Sequence, residues 1–216
     1  MNRQVLARRI KNAGSEVHRL AQCIVALESV NLMDCPDNYS RLSHQTALRA
    51  EGITQSLRRL VFGTTNILKT DYHVAAAQEL DIHVTEDADI VNIKLPCLIP
   101  KRNKWVSNFI TDPLYAVLEK FVSERPLPFE PFLKCVVCIT HIYDKSLFTK
   151  GRVCDHDNIE LKGILDVINT FLLTDDGGML CDIFNTSEYG EMDMVQISVM
   201  KKHMFPEWLM QHKKCA

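Results

Sequence analysis

The sequence predicts an α+β protein in which an N-terminal helical hairpin precedes a mixed sheet flanked by helices. Through the first 64 residues, apolar side chains recur in steps of three and four, the spacing of one helix face. From residue 82 onward, alternating or continuous apolar runs bounded by turn residues indicate strands. Between those runs, apolar residues again recur at helical spacing. We therefore divide the chain into a helical extension over residues 1–81 and an α/β domain over residues 82–216.

The helical hairpin is predicted from two apolar stripes separated by turn chemistry at residues 34–38. The first stripe contains Leu6, Ile10, Ala13, Val17, Leu20, Ile24 and Leu27. The second contains Ala50, Ile53, Leu57, Leu60 and Thr64. Residues 1–70 carry 10 Lys and Arg against 5 Asp and Glu. This basic surface is either a solvated face or a surface that contacts phosphate.

The mixed part alternates short helices and strands. We expect a helix over residues 72–80 and a β-hairpin whose arms, 82–85 and 91–95, flank an acidic turn. Asp112 and Pro113 suit the start of a helix, as N-cap and first-turn residue. The apolar run over 132–143 predicts a central strand. A helix over about 158–173, strands over 179–184 and 195–200, and a helix over 206–212 complete the chain.

Length, charge, hydropathy and cysteine content together indicate where the protein is found. The chain has 216 residues and a formal net charge of −2. No apolar run reaches the roughly 18 residues of a membrane span, and the first residues lead into a charged amphipathic pattern rather than a signal region. The 8 cysteines are scattered through apolar runs and suit reduced thiols. We expect a cytoplasmic protein that does not enter a membrane.

Acidic residues gather late in the chain. Residues 151–200 hold 2 Lys and Arg against 10 Asp and Glu. Asp155 and Asp157 precede the predicted helix that carries Lys162, and Asp175-Asp176 follow it in a glycine-flanked turn. Alternate residues of an extended segment point the same way, so Asp155 and Asp157 can face one cation. Oxygen ligands of this kind suit Mg²⁺ or Mn²⁺ and phosphate chemistry. The alternative is a helix cap followed by a solvated turn.

These residues resemble the signature of RusA-type Holliday-junction resolvases, in which Asp-x-Asp-Asn opens a helix bearing a lysine and a double Asp follows in a turn. The likeness covers about residues 90–200. It implies a homodimeric, Mg²⁺-dependent (or Mn²⁺-dependent) endonuclease that nicks branched DNA. Carried over by position, the metal ligands are Asp155, Asp157 and Asp176, with Asp175 in place of Asp176 if the turn is offset, and Lys162 is the catalytic lysine. The whole chain also resembles uncharacterised proteins from mobile elements of Gram-positive bacteria.

One departure from that signature leaves a second function open. Three residues separate Asn158 from Lys162, where the family has two, and one extra helical residue rotates all later positions of the helix by about 100°. The alternative is a non-catalytic DNA-binding or assembly protein of a mobile element that keeps the same fold. In either case the basic residues expected at DNA are Lys101, Arg102, Lys104 and Arg152.

Two other classes of site are disfavoured. Cys135 and Cys138 suggest zinc, with His141, Cys154 and His156 as further ligands. Residues three apart on a strand point to opposite faces, however, so buried structural thiols are the better interpretation. No phosphate-cradling glycine loop is present, which argues against a nucleotide cofactor.

Overall fold

The computed structural model describes residues 3–99, 108–147, 153, 156 and 159–215. The described residues confirm the mixed α+β class and the helical N-terminus. The chain divides into two compact units, Met1–Lys69 and Thr70–Ala216. Among the helices of the described part, none is both long and apolar enough to cross a bilayer.

The first unit is a helical hairpin made by α1 (Arg3–Ser29) and α2 (Pro36–Thr64). Pro36 lies at the start of α2, where a missing N–H costs no helical hydrogen bond. Glu16 of α1 pairs with Arg49 of α2 at 3.2 Å. Within the described residues, α1 has no buried residue and α2 has one, Ile53. A cleft of about 290 Å³ lies between the two helices around Ala13 and Ile53. The hairpin therefore has almost no core of its own.

The second unit carries a five-stranded sheet with helices packed against it. In chain order its elements are α3 (Lys69–Glu79), β1 (His83–Asp87), β2 (Ile90–Leu95), α4 (Asn108–Ser123), β3 (Cys135–Asp144), α5 (Lys162–Leu172), β4 (Cys181–Gly190), β5 (Met194–Lys201) and α6 (Phe205–Cys215). The strand order is β1-β2-β5-β3-β4. Only β3 and β4 pair in parallel among the described strands, and α5 forms the crossover between them. β3 is thus an interior strand, as its apolar run predicts.

Apolar residues cover both faces of the sheet. The larger cluster holds Cys135, Val137 and Ile139 of β3 together with Ile164 and other residues of α4 and α5. The smaller cluster holds the alternate residues Val136 and Cys138 with Met200, packed by aromatic rings from β4 and α6. The period-2 alternation of β3 therefore sends its side chains into two different cores.

The β1–β2 hairpin is tighter than the sequence predicts. Asp87 pairs with Ile90, so the connecting turn has only two residues, Ala88 and Asp89. Their φ angles are 47° and 65°, the left-handed values of a type I′ turn. Between α3 and β1, Asp81 has a φ of 58°, and its carboxylate accepts hydrogen bonds from Lys94 and His83. Three non-glycine residues thus occupy a backbone region that favours glycine.

Two helix starts differ from prediction. The described part of α4 begins at Asn108, so Asp112 and Pro113 lie inside the helix rather than at its start. The upstream turn is held because Ile110 is buried in the core. α5 begins at Lys162 rather than near residue 158, because Ile159 enters the same core before the helix starts.

The boundary between units also differs from the predicted division at residue 81. The second unit begins at Thr70, so α3 belongs with the sheet. Ala77 of α3 and Ile82 are buried in the main core, which physically attaches α3 to the α/β domain. β4 continues to Gly190, beyond the predicted 179–184 strand, since all ten of its residues pair with β3.

Candidate functional site

Of the predicted acidic segment at residues 155–158, the structure describes only His156. Asp155, Asp157 and Asn158 lie outside the described residues, as do Cys154 and the predicted DNA contacts Lys101, Arg102, Lys104 and Arg152.

His156 lies beside the carboxyl-terminal half of the parallel pair β3–β4. Its Nε2 is 2.9 Å from Oγ of Ser187 on β4. Its ring stacks on that of His141 of β3, with centroids 5.6 Å apart and planes at 27°. His141 and Ser187 are register partners across the two strands. In sheets with βαβ crossovers, ligand sites form outside the carboxyl ends of the strands.

His141 is a polar group held inside the sheet. Its side chain is 1% exposed. Its Nε2 is buried without a hydrogen-bond partner among the described atoms. Burial, and then the nearby ring of His156, lower the pKa of His141 to about 4. The ring is therefore neutral at physiological pH, and its free nitrogen faces no described partner.

Lys162 is the first residue of α5 and is well exposed. Its Nζ donates a hydrogen bond to Oδ2 of Asp166, one helical turn further on, at 2.6 Å. That bond and the charge of Asp166 raise the pKa of Lys162, and the carboxylates of Asp176 and Glu160 raise it further. The ammonium group thus remains charged and lies in a field of three carboxylates.

Asp175 and Asp176 follow α5 in a turn that precedes β4. The Asp175 carboxylate accepts a hydrogen bond of 3.2 Å from the backbone N–H of Gly177. Asp176 acts electrostatically on Lys162 at the other end of α5 and on Cys181 at the start of β4. The two aspartates therefore differ: Asp175 accepts a hydrogen bond within the turn, whereas Asp176 adds negative charge near Lys162.

The described residues form two groups rather than one compact cluster. His156, His141 and Ser187 form one group, and Lys162, Asp166 and Asp176 form the other. No set of three or more His, Cys, Asp or Glu side chains within the described ranges is arranged to hold a metal ion. A metal site of the predicted kind would therefore need Asp155 and Asp157.

The cysteine pair is arranged as strand alternation predicts. Cys135 lies in the larger core and Cys138 in the smaller core on the opposite face. Burial, and then the neighbouring Cys181, raise the pKa of Cys135 to about 12, and burial raises the pKa of Cys138 to about 12. Both thiols are protonated and poorly suited to metal binding or nucleophilic chemistry.

Ser187 is the site residue that the sequence did not indicate. It lies in the part of β4 beyond the predicted strand, 31 residues from His156. Its position depends on the register of β4 against β3. His141 appeared in the sequence only as a weak zinc candidate, and no local pattern distinguishes it from a core residue.

Comparison with known proteins adds a family assignment. No curated protein matches the sequence. Among solved structures, the periplasmic domain of Helicobacter pylori MotB (residues 90–256) aligns with a TM-score of 0.33 and 10% identity, over 63% of this chain and 90% of that chain. A likeness at that level carries no argument about fold or function. A family model described as a family of unknown function, DUF6100, matches residues 2–216, and the chain belongs to that family.

Proposed function

We propose that the second unit is a RusA-like, Mg²⁺-dependent endonuclease that acts on branched DNA. The observation that carries the proposal is the order of these residues around α5, because Lys162 begins the helix and Asp175 and Asp176 lie between its end and β4. In the RusA signature, a double Asp likewise follows the lysine-bearing helix in a turn before the last strands. The described order of a hairpin, a helix, an interior strand, α5 and two final strands also agrees with that resemblance.

In this proposal each site residue has its own role at the scissile phosphate. Asp155, Asp157 and Asp176 would hold the cation through carboxylate oxygens, which Mg²⁺ prefers. A bound cation would supply Lewis acidity and a water of lowered pKa. Lys162 would leave Asp166 and place its ammonium against the phosphate, where it offsets developing negative charge. The hydrogen bond to Asp166 orients Lys162 while DNA is absent.

The test is a nicking assay on four-way and flap DNA in Mg²⁺. Asp157→Asn, Asp176→Asn and Lys162→Met are each expected to lower the cleavage rate by about 10²-fold or more, as expected for lost metal or charge stabilisation. Glu191→Gln, which neutralises an exposed carboxylate between β4 and β5, is the matched control, and its rate should stay near wild type. An inactive wild type, or full activity in Asp157→Asn, would exclude the proposal.

A second candidate is a non-catalytic DNA-binding or assembly protein with the same fold. It is favoured by the three residues between Asn158 and Lys162, one more than in the RusA signature, because the extra residue turns the lysine to another side of the helix. The basic helical hairpin would then contribute phosphate contacts.

Binding measurements separate the two candidates. For the non-catalytic protein, junction DNA should bind equally well in Mg²⁺ and in EDTA and should remain uncut. Lys101→Ala, Arg102→Ala and Lys104→Ala should each weaken binding and reduce its dependence on salt, since each would remove one phosphate contact. Metal-dependent cutting would decide in favour of the nuclease.

A further inference from the structure

α1 carries a second apolar row beside its partly buried one. The partly buried row contains Leu6, Ala13, Leu20 and Leu27. The other row, which we call the α1 seam, is exposed throughout and contains Ala7, Ile10, Gly14, Val17, Ala21 and Ile24. Its steps alternate between three and four residues, the spacing of a helix–helix seam. Ile10, Val17 and Ile24 are 53%, 48% and 45% exposed.

Large and small residues alternate along the α1 seam. A β-branched residue stands at every seventh position, and Ala7, Gly14 and Ala21 stand between them. Glycine in a helix interior is destabilising relative to alanine. A Cβ added at Gly14 would meet nothing within 4 Å, so the packing of this chain does not require glycine there. Small residues at such a position allow another helix to approach closely.

The α1 seam is complementary to itself in one orientation. When two copies of α1 run antiparallel about a two-fold axis between residues 15 and 16, Ala7 meets Ile24, Ile10 meets Ala21 and Gly14 meets Val17 of the second copy. Every β-branched side chain then lies opposite a small residue. A two-fold interface requires this kind of self-complementary surface.

The ends of the α1 seam carry opposite charges. Arg3 and Glu28 continue the same steps beyond Ala7 and Ile24, and both are exposed. The antiparallel orientation places Arg3 of each copy opposite Glu28 of the other. A parallel pairing would instead bring arginine against arginine and glutamate against glutamate, which is unfavourable.

We propose that the occupant of the α1 seam is a second copy of this chain, so that two helical hairpins associate through antiparallel α1 helices. The association would bury the apolar side chains of the α1 seam, which remain exposed in a single chain. The proposal is independent of whether the second unit cuts DNA.

The test is the mass of the full-length protein by light scattering coupled to size exclusion. The wild type should show the mass of two or more 24.7-kDa chains. Gly14→Leu should halve that mass, because leucine fills the notch that receives Val17 of the second copy. Leucine has room within the single chain and favours helix, so unchanged or increased helicity by circular dichroism would show that the variant is folded. Gly52→Leu, on α2 and equally open, is the control that should keep the mass.

Charge exchange tests the orientation. Arg3→Glu should weaken the association by about fivefold, because two exposed ion pairs become repulsive. Arg3→Glu combined with Glu28→Arg should restore wild-type affinity. A monomeric wild type, an unchanged mass for Gly14→Leu, or failure of the double variant to recover would overturn the proposal.

Discussion

At the scale of single residues, burial decides the chemistry of His141. The same imidazole on an exposed strand would titrate near its ordinary value of 6.5, whereas here its pKa falls to about 4. In the folded protein His141 remains neutral, while in the unfolded chain it takes up a proton below pH 6.5. Stability is therefore at its full value above that pH and decreases as the pH falls from about 6.5 towards 4.

We expect the folded state to lose about 2 kcal/mol of stability between pH 7 and pH 5 because of His141 alone. The measurement is urea unfolding at the two pH values. His141→Phe keeps an aromatic ring against His156 and cannot titrate, so its loss between pH 7 and pH 5 should be smaller by that amount. His44→Phe, on an exposed face of α2, is the control that should preserve the wild-type dependence. Equal pH dependence in His141→Phe and wild type would contradict the assignment.

At the scale of elements, the β1–β2 turn is built from residues that its backbone does not favour. Type I′ turns prefer Asn-Gly at their two central positions, and this turn has Ala88 and Asp89. An L-residue in the left-handed region costs roughly 1–2 kcal/mol. The hairpin forms nevertheless, because Val91, Ile93 and Leu95 are fully buried and β2 pairs on both sides.

Ala88→Asn combined with Asp89→Gly should therefore stabilise the protein by about 1–2 kcal/mol. Chemical denaturation followed by circular dichroism measures the change. Asp87→Gly, placed one residue earlier in the extended arm, should instead destabilise by about 0.5–1 kcal/mol. If both variants shifted stability in the same direction, the left-handed turn would not be the cause.

At the scale of the whole molecule, the two units differ in how much apolar surface they bury. β3 and β5 hold fully buried residues such as Val137, Ile139, Ile197 and Val199. The α1–α2 hairpin buries only Ile53 among its described residues. Local opening is easiest where few apolar contacts must be broken.

Amide hydrogen exchange should therefore be fastest in α1 and α2 and slowest in β3 and β5. If a second copy covers the α1 seam, protection of α1 should rise with protein concentration in wild type and stay constant in Gly14→Leu. Protection of α1 equal to that of β5 in both proteins, at every concentration, would mean that the hairpin is stable by itself.

Local periodicity was sufficient for most elements of this fold. The hairpin of long helices, the interior strand and the final strand were predicted from apolar residues spaced three, four or two positions apart. Such spacing puts the apolar side chains on one face of a helix or strand, where they can be buried together. The sequence placed Ile10, Val17 and Ile24 in one stripe with the leucines of α1, and only the structure separates them as an exposed row. Helix starts were less predictable: Ile110 and Ile159 moved them by entering a core that forms only when distant elements meet.

The sequence by itself determined the α+β class, the helical extension and the acidic character of residues 151–200. Tertiary structure alone decided that Ser187 meets His156 and that His141 is buried beside them. The physical reason is that strand register and helix crossover set these distances, and neither is encoded in any short stretch of chain. Composition can gather carboxylates in one segment, but only the packing of β3, α5 and β4 determines which charges share a site.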